Sequence, residues 1–245
     1  MASAAGAVDE LGDESWQEAD TVLLAKAYFD VNEFLRAAHV LRDARSAQGL
    51  FIRWYSLFLA GEKRKDERML EESGGGSIAV LTGKPRAINE QLALLQTELQ
   101  AEDAAGRLDG FGQYVYGLTL RELQRRTDAA AAFKQAAILC PCFWSAWLEL
   151  AAALPDADAV NSLDLPNHWM SSFFRAHAAL EAQRNVPAIS MYEELLIAFP
   201  DSPYLQCQLA HARYNLREVS SVHVRSNGTR CLPGTAAAMV RVMVA

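Results

Sequence analysis

The sequence predicts an all-α fold, a solenoid of antiparallel helix pairs. Small and large apolar residues recur at helical spacing, the pattern repeats along the chain, and turn-forming residues separate the copies. The clearest copy is the stretch 110–143, where small residues flank one large aromatic, as two closely packed helices require. Its signature residues are Gly117, Leu120, Ala129, Phe133, Ala136 and Pro141. The proline ends the second helix because it cannot continue it.

The pattern recurs on both sides of this stretch. The matching positions are Leu24, Ala25, Tyr28, Ala37 and Leu41 near the N-terminus, Trp147 and Leu150 in a first-helix half, and Ala188, Tyr192 and Pro200 in a second-helix half. A lone helix pair cannot bury its apolar face, so the recurrence predicts a solenoid of the tetratricopeptide repeat (TPR) type. Such a solenoid holds other proteins and carries no chemistry of its own. An unrelated helical bundle with alanine-rich seams is the alternative.

Composition divides the chain into segments. Residues 1–14 are small, acidic and aperiodic, which predicts disorder, and residues 15–61 read as N-terminal TPR-like helices. A charged and glycine-rich linker is predicted over 62–86, and the solenoid resumes over 87–217. An extended loop is expected around Pro155 and Pro166. Residues 218–245 have glycine, proline and valine without helical period, so we expect a disordered tail.

The net charge of -7 argues against a surface that follows nucleic-acid phosphates. The basic run 63–68 is interspersed with acidic residues, which is typical of a solvated helix end. The sequence shows no signal peptide and no apolar run near the ~20 residues of a membrane span, so we predict an intracellular protein. In a reducing compartment no disulfides are expected among Cys140, Cys142, Cys207 and Cys231.

No chemical motif is complete in the sequence. Cys140 and Cys142 lack a partner pair for metal, and the glycines at 74–76 and 83 do not match a phosphate-binding loop. The five histidines are scattered singly. We therefore assign no catalytic, cofactor-binding or metal-binding residue and predict that the chain is not an enzyme.

Several pieces that the repeat pattern does not require point to one family. The segments GEKRKDE, LDGFG and WLEL, in this order, resemble the N-terminal part of the cell division cycle protein 23 family, the eighth subunit of the anaphase-promoting complex, over about residues 20–217. The resemblance implies a non-catalytic scaffold of a cell-cycle ubiquitin ligase, with ubiquitin transfer left to other subunits. It also implies homodimerisation through the N-terminal repeats, contacts with other TPR subunits of the complex, and a location in nucleus and cytoplasm.

After Arg217 the chain departs from the family pattern. The family continues with further repeats, including those that receive coactivator segments, so coactivator binding is doubtful here. We interpret the tail as a foreign end from alternative splicing, a retained intron or a mistaken gene model; a real short isoform is the alternative. We expect the helix around 207–214 to expose an apolar face and to promote self-association.

Two other classes of function compete with the scaffold. A generic TPR adaptor or co-chaperone would grip an acidic C-terminal peptide with cationic side chains. The inward first-helix positions here hold Tyr114 and Leu118, which offer no such clamp. An enzyme with a site across the solenoid groove finds no supporting cluster of titratable residues.

Overall fold

A computed structural model of the chain describes residues 6–74, 88–154 and 157–216. These ranges contain helices and no strand, so the all-α prediction is confirmed. The helices are α1 (Gly6–Asp30), α2 (Phe34–Val40), α3 (Ala47–Gly74), α4 (Leu92–Ala104), α5 (Gly110–Glu122), α6 (Arg126–Leu139), α7 (Trp144–Ala153), α8 (Ala157–Ser162), α9 (Trp169–Glu181), α10 (Asn185–Ala198) and α11 (Pro203–Asn215). The chain divides into two compact units between Arg125 and Arg126.

The first unit is centred on the long helix α3, which contacts α1, α2, α4 and α5. Fully or nearly fully buried leucines and aromatics from these helices form its core, among them Leu41, Ile52, Leu95, Leu99 and Leu120. The carboxylate of Glu98 on α4 accepts hydrogen bonds from two residues of α3, from Arg53 at 2.9 Å and from the Trp54 indole at 3.1 Å. A partly buried carboxylate is thus satisfied by two donors on one neighbouring helix.

In the second unit each helix packs mainly on its neighbour in sequence. Helix α6 pairs with α7, α9 with α10, and α10 with α11, and α7 also contacts α9. The short turns between α9, α10 and α11 make these helices antiparallel, as expected for a TPR-like solenoid. Small residues allow the approach: Ala176, Ala188 and Ala212 have no exposed surface and surround the buried ring of Tyr192.

One backbone turn recurs at the ends of helices α1, α4, α5 and α9. A residue there has positive φ, and the two amides at this turn bond to carbonyls of the last helical turn, as in a Schellman motif. For example, the amides of Gln183 and Arg184 bond to the carbonyls of Leu180 and Ala179. The residues with positive φ are Asn32, Gly106, Gln124 and Gln183. Only one of them is glycine, so the usual glycine signal does not mark this shared turn in the sequence.

Helix boundaries differ from the predicted segments in three places. Helix α1 begins at Gly6, so residues 6–14, which the sequence predicts to be disordered, lie within this helix. Helix α3 continues to Gly74, so the predicted linker does not start at 62, and residues 75–86 lie outside the described ranges. The expected loop near Pro166 contains the short helix α8. The predicted tail over 218–245 also lies outside the described residues.

Candidate protein-interaction surfaces

Most of the predicted repeat residues are packing residues. Those that are buried are Ala25, Ala37, Leu41, Gly117, Leu120, Ala129, Phe133, Ala136, Trp147, Leu150, Ala188 and Tyr192. Tyr28 and Pro141 are half-buried, and Pro200 is exposed at the turn after α10. Leu24 is 48% exposed, because α1 turns Val22 and Ala25 toward the core and so places Leu24 on another face.

Asn89, in the segment directly before α4, joins this segment to α3 by hydrogen bonds. Its amide nitrogen donates to the carbonyl of Phe58 at 3.1 Å and to Glu62 at 3.0 Å, and its oxygen accepts from the amide of Gln91 at 2.9 Å. A Cβ on Gly61 would overlap the Asn89 amide, so glycine is required for this close approach. The glycine and glutamate of GEKRKDE therefore form a docking point for a distant segment.

The cations of GEKRKDE are also paired within the chain. Lys65, whose side chain is 17% exposed, bonds to Glu62 at 2.8 Å and to Glu122 of α5 at 3.0 Å. Burial alone would lower the pKa of Lys65, but the hydrogen bonds to these two carboxylates raise it. Arg64 and Arg68 both pair with Glu90. The run 63–68 is otherwise exposed, as predicted, but it lies inside α3 and not at a helix end, and Lys65 joins α3 to α5.

The segment LDGFG caps helix α5. The Asp109 carboxylate accepts a 2.7 Å hydrogen bond from the amide of Gly112, and Leu108 is buried beside this turn. The ring of Phe111 lies 5.2 Å from that of Phe51 on α3. The segment thus sets the start of α5 and fixes it against α3.

The tryptophan of WLEL is fixed by both its ring and its indole N–H. Trp147 is fully buried, its N–H donates to the carbonyl of Pro141 at 2.9 Å, and its ring lies 5.1 Å from Phe174 of α9. Pro141 therefore ends one helix and also accepts a hydrogen bond from the next.

A carboxylate from α1 caps helix α3. One oxygen of Glu18 accepts from the amides of Arg45 at 3.1 Å and Ser46 at 2.8 Å, directly before α3 begins. Hydrogen bonds from Ser46 are the main reason that the pKa of Glu18 is lowered. A carboxylate is favoured there because amides at a helix N-terminus carry partial positive charge.

Two groups of large apolar side chains remain exposed, one in each unit. In the first unit, the apolar stripe consists of Leu23, Leu24, Val31 and Leu35, on or next to α1 and α2. In the second unit, the aromatic patch consists of the exposed rings of Trp169 and Phe199 and the half-buried rings of Trp144, Phe173 and Tyr204, with centroids of neighbouring rings 5.4 to 6.4 Å apart. Exposed apolar groups of this size are typical of protein contacts.

The adaptor clamp finds no support in the structure, since both Tyr114 and Leu118 are buried. Among the described residues, no group of three or more His, Cys, Asp or Glu side chains could hold a metal ion, and no helix is long and apolar enough to cross a membrane. Cys140 and Cys142 are free, whereas Cys207 is disulfide-bonded, against the expectation from the sequence.

Comparison with known proteins covers nearly all the described helices. A family model, "Anaphase promoting complex subunit 8 / Cdc23", matches residues 7–210. The chain is 42% identical over 207 residues to "Anaphase-promoting complex subunit 8" of Arabidopsis thaliana, covering 84% of this chain and 35% of that protein. It is 38% identical over 208 residues to "Cell division cycle protein 23 homolog" of Homo sapiens, covering 84% of this chain and 34% of that protein. The chain spans about a third of the length of these curated relatives.

Proposed function

Because the chain belongs to the anaphase-promoting complex subunit 8 / Cdc23 family, we propose that it serves as a non-catalytic scaffold in that cell-cycle ubiquitin ligase. Its role is to hold other TPR subunits of the complex through helical surfaces. By keeping partners within reach of one another, a scaffold raises their effective concentration. The proposed site of action is the nucleus and cytoplasm.

The proposal rests mainly on what the family-specific residues do. In GEKRKDE, LDGFG and WLEL they join helices to one another by hydrogen bonds. Apolar groups are exposed on other faces. Rigid packing beneath exposed apolar surface suits a protein that binds other proteins.

The apolar stripe is the proposed surface for homodimerisation. Leu23 and Leu24 lie on α1, Val31 directly follows this helix, and Leu35 of α2 adds to them. A second copy could present the same surface, as in a two-fold symmetric interface. No coactivator binding is proposed.

Affinity purification of the tagged chain from dividing cells tests the scaffold role. We expect other TPR subunits of the anaphase-promoting complex to be recovered. Recovery of chaperones alone would contradict the proposal and would favour the adaptor alternative.

Sedimentation of a double variant tests the dimer surface. Leu24→Ser with Val31→Ser is expected to shift the chain from dimer toward monomer and to leave its helix content unchanged. Leu70→Ser, at another exposed leucine of the same unit, is the matched control and should leave the dimer intact. A clean monomer for the unmodified chain at tens of micromolar would refute this assignment.

A further inference from the structure

Two polar side-chain atoms in the second unit are buried without a hydrogen-bond partner among the described residues. They are the hydroxyl oxygen of Tyr192 on α10 and the ring nitrogen Nδ1 of His177 on α9. Tyr192 has no exposed surface, and buried alanines of α9, α10 and α11 pack around it. An unpaired buried polar group is unfavourable, and most such groups in folded proteins bond to protein or to ordered water. We therefore expect both atoms to have a partner that is not a side chain of these helices.

The two atoms belong to one cluster of side chains. The Trp144 indole on α7 lies 5.8 Å from the His177 ring and 6.1 Å from the Tyr204 ring on α11, as measured between ring centroids. Burial raises the pKa of Tyr192 and the neighbouring Tyr204 hydroxyl adds to the increase, although the two hydroxyls do not meet in hydrogen-bonding geometry. Glu181 also acts on the pKa of the imidazole and of both phenols, but less than burial does. Polar groups from α9, α10 and α11 thus converge on one region.

The imidazole and the two phenols of this cluster are uncharged near neutral pH. Burial lowers the pKa of His177, with Glu181 opposing the shift, and burial raises the pKa of Tyr204 to about 12. A neutral imidazole has one nitrogen that donates and one that accepts, and a phenol can do both. A water molecule also does both, so it can bond to these groups whichever tautomer His177 adopts.

We infer that one ordered water bridges the Tyr192 hydroxyl and the Nδ1 atom of His177 inside the second unit. The Tyr204 hydroxyl is its third partner, which gives the water the number of hydrogen bonds that is typical of buried waters, about three. Because these partners belong to three helices, the water joins α11 to α9 and α10. The inference goes beyond the proposed function, because it concerns how the second unit holds its last described helix and requires no partner protein.

A metal ion suits this cluster less well than water does. Burial keeps the hydroxyls of Tyr192 and Tyr204 protonated near neutral pH, so neither supplies a phenolate ligand. Glu181 is exposed, and no group of three or more His, Cys, Asp or Glu side chains among the described residues could hold a metal ion. A direct bond between the two tyrosine hydroxyls is the other alternative, and it would leave the Nδ1 atom of His177 unpaired.

The sign of the change in thermal midpoint caused by Tyr192→Phe tests the inference on the full chain. If the hydroxyl were unpaired, its removal would raise the midpoint. If the hydroxyl binds an ordered water, its removal takes one partner from that water, and we expect the midpoint to fall by about 3 °C. Tyr28→Phe, at a half-buried tyrosine of the first unit, is the matched control and should leave the midpoint unchanged.

A double-mutant cycle shows whether the same water serves His177. Since loss of either partner disrupts the bridge, Tyr192→Phe should lower the midpoint less in a His177→Leu background than in the unmodified chain. A direct bond between the two hydroxyls predicts instead that Tyr192→Phe has the same effect in both backgrounds, and that its effect disappears in a Tyr204→Phe background.

Deuterium magnetic relaxation dispersion counts the long-lived internal waters of the chain in solution. The count should fall by about one in Tyr192→Phe and stay the same in Tyr28→Phe. The inference is overturned if Tyr192→Phe raises the midpoint, if its effect does not depend on His177, or if the number of internal waters does not change.

Discussion

Replacing Gly61 with alanine tests the contact between Asn89 and α3, because the sign of the change in the free energy of unfolding depends on that contact. In an ordinary helix interior, glycine to alanine stabilises by about 1 kcal/mol. Here the added methyl would overlap the Asn89 amide and displace it. Asn89 makes hydrogen bonds to Phe58, Glu62 and Gln91, each worth about 1 kcal/mol. We therefore expect Gly61→Ala to lower the free energy of unfolding by about 2 kcal/mol.

A double-mutant cycle isolates the contact. Asn89→Ala alone should cost about 2 to 3 kcal/mol, because buried groups on α3 lose their partner. With Asn89 removed, Gly61→Ala should become neutral or stabilising, which gives a coupling energy of about 3 kcal/mol. Asp66→Ala, at an exposed position of the same helix, reports the helix propensity effect alone.

Urea unfolding followed by circular dichroism measures these free energies, and hydrogen exchange over 50–62 and 88–104 locates the change. Faster exchange in both segments is expected for Gly61→Ala. A variant that is more stable than the unmodified chain, or a coupling energy near zero, would refute the docking of Asn89 on α3.

Three further outcomes are expected. Glu18→Gln should lower the free energy of unfolding by about 1 kcal/mol at pH 7, measured by urea unfolding, because the amides of Arg45 and Ser46 lose a charged acceptor. Because the pKa of Glu18 is lowered in the folded chain, this contribution is present above about pH 4.3 and is lost as the pH falls further. A cost that does not decline as the pH falls below about 4.3 would contradict this. Trp147→Phe should lower the free energy of unfolding by about 1 to 3 kcal/mol, since the Pro141 carbonyl loses its donor and a cavity opens; an unchanged thermal midpoint would argue against this hydrogen bond. Burial lowers the pKa of His177, so its contribution to stability is full above about pH 6.5 and decreases in more acid solution. His177→Leu should therefore make the free energy of unfolding less dependent on pH between about 6.5 and 5. If the slope of unfolding free energy against pH is unchanged in this variant, His177 does not have this role.

The sequence identified the fold well where the packing depends on periodicity. Ala129, Phe133 and Ala136 are buried as their spacing predicts, because one face of a helix can be found by counting residues. Leu24 matches the same repeat pattern but is 48% exposed, because Val22 and Ala25 of the same helix face the core.

The surfaces and the charged contacts could not be predicted in the same way. Lys65 reaches Glu122, a residue 57 positions away, and no local pattern encodes that distance. The aromatic patch joins rings from α7, α9, α11 and a turn, which are far apart in sequence. Such sets become visible only when the helices are packed.

The repeated Schellman turns offer a route to a more robust protein for all these experiments. A residue other than glycine in the left-handed region carries a strain of about 1 kcal/mol, and Asn32, Gln124 and Gln183 each occupy that region. Replacing each of these residues with glycine would relieve the strain but would also raise the entropy of the unfolded chain. The net increase in the free energy of unfolding is about 0.5 kcal/mol per site. Since the backbone of these turns already makes its hydrogen bonds, stability could be added without altering the apolar stripe or the aromatic patch.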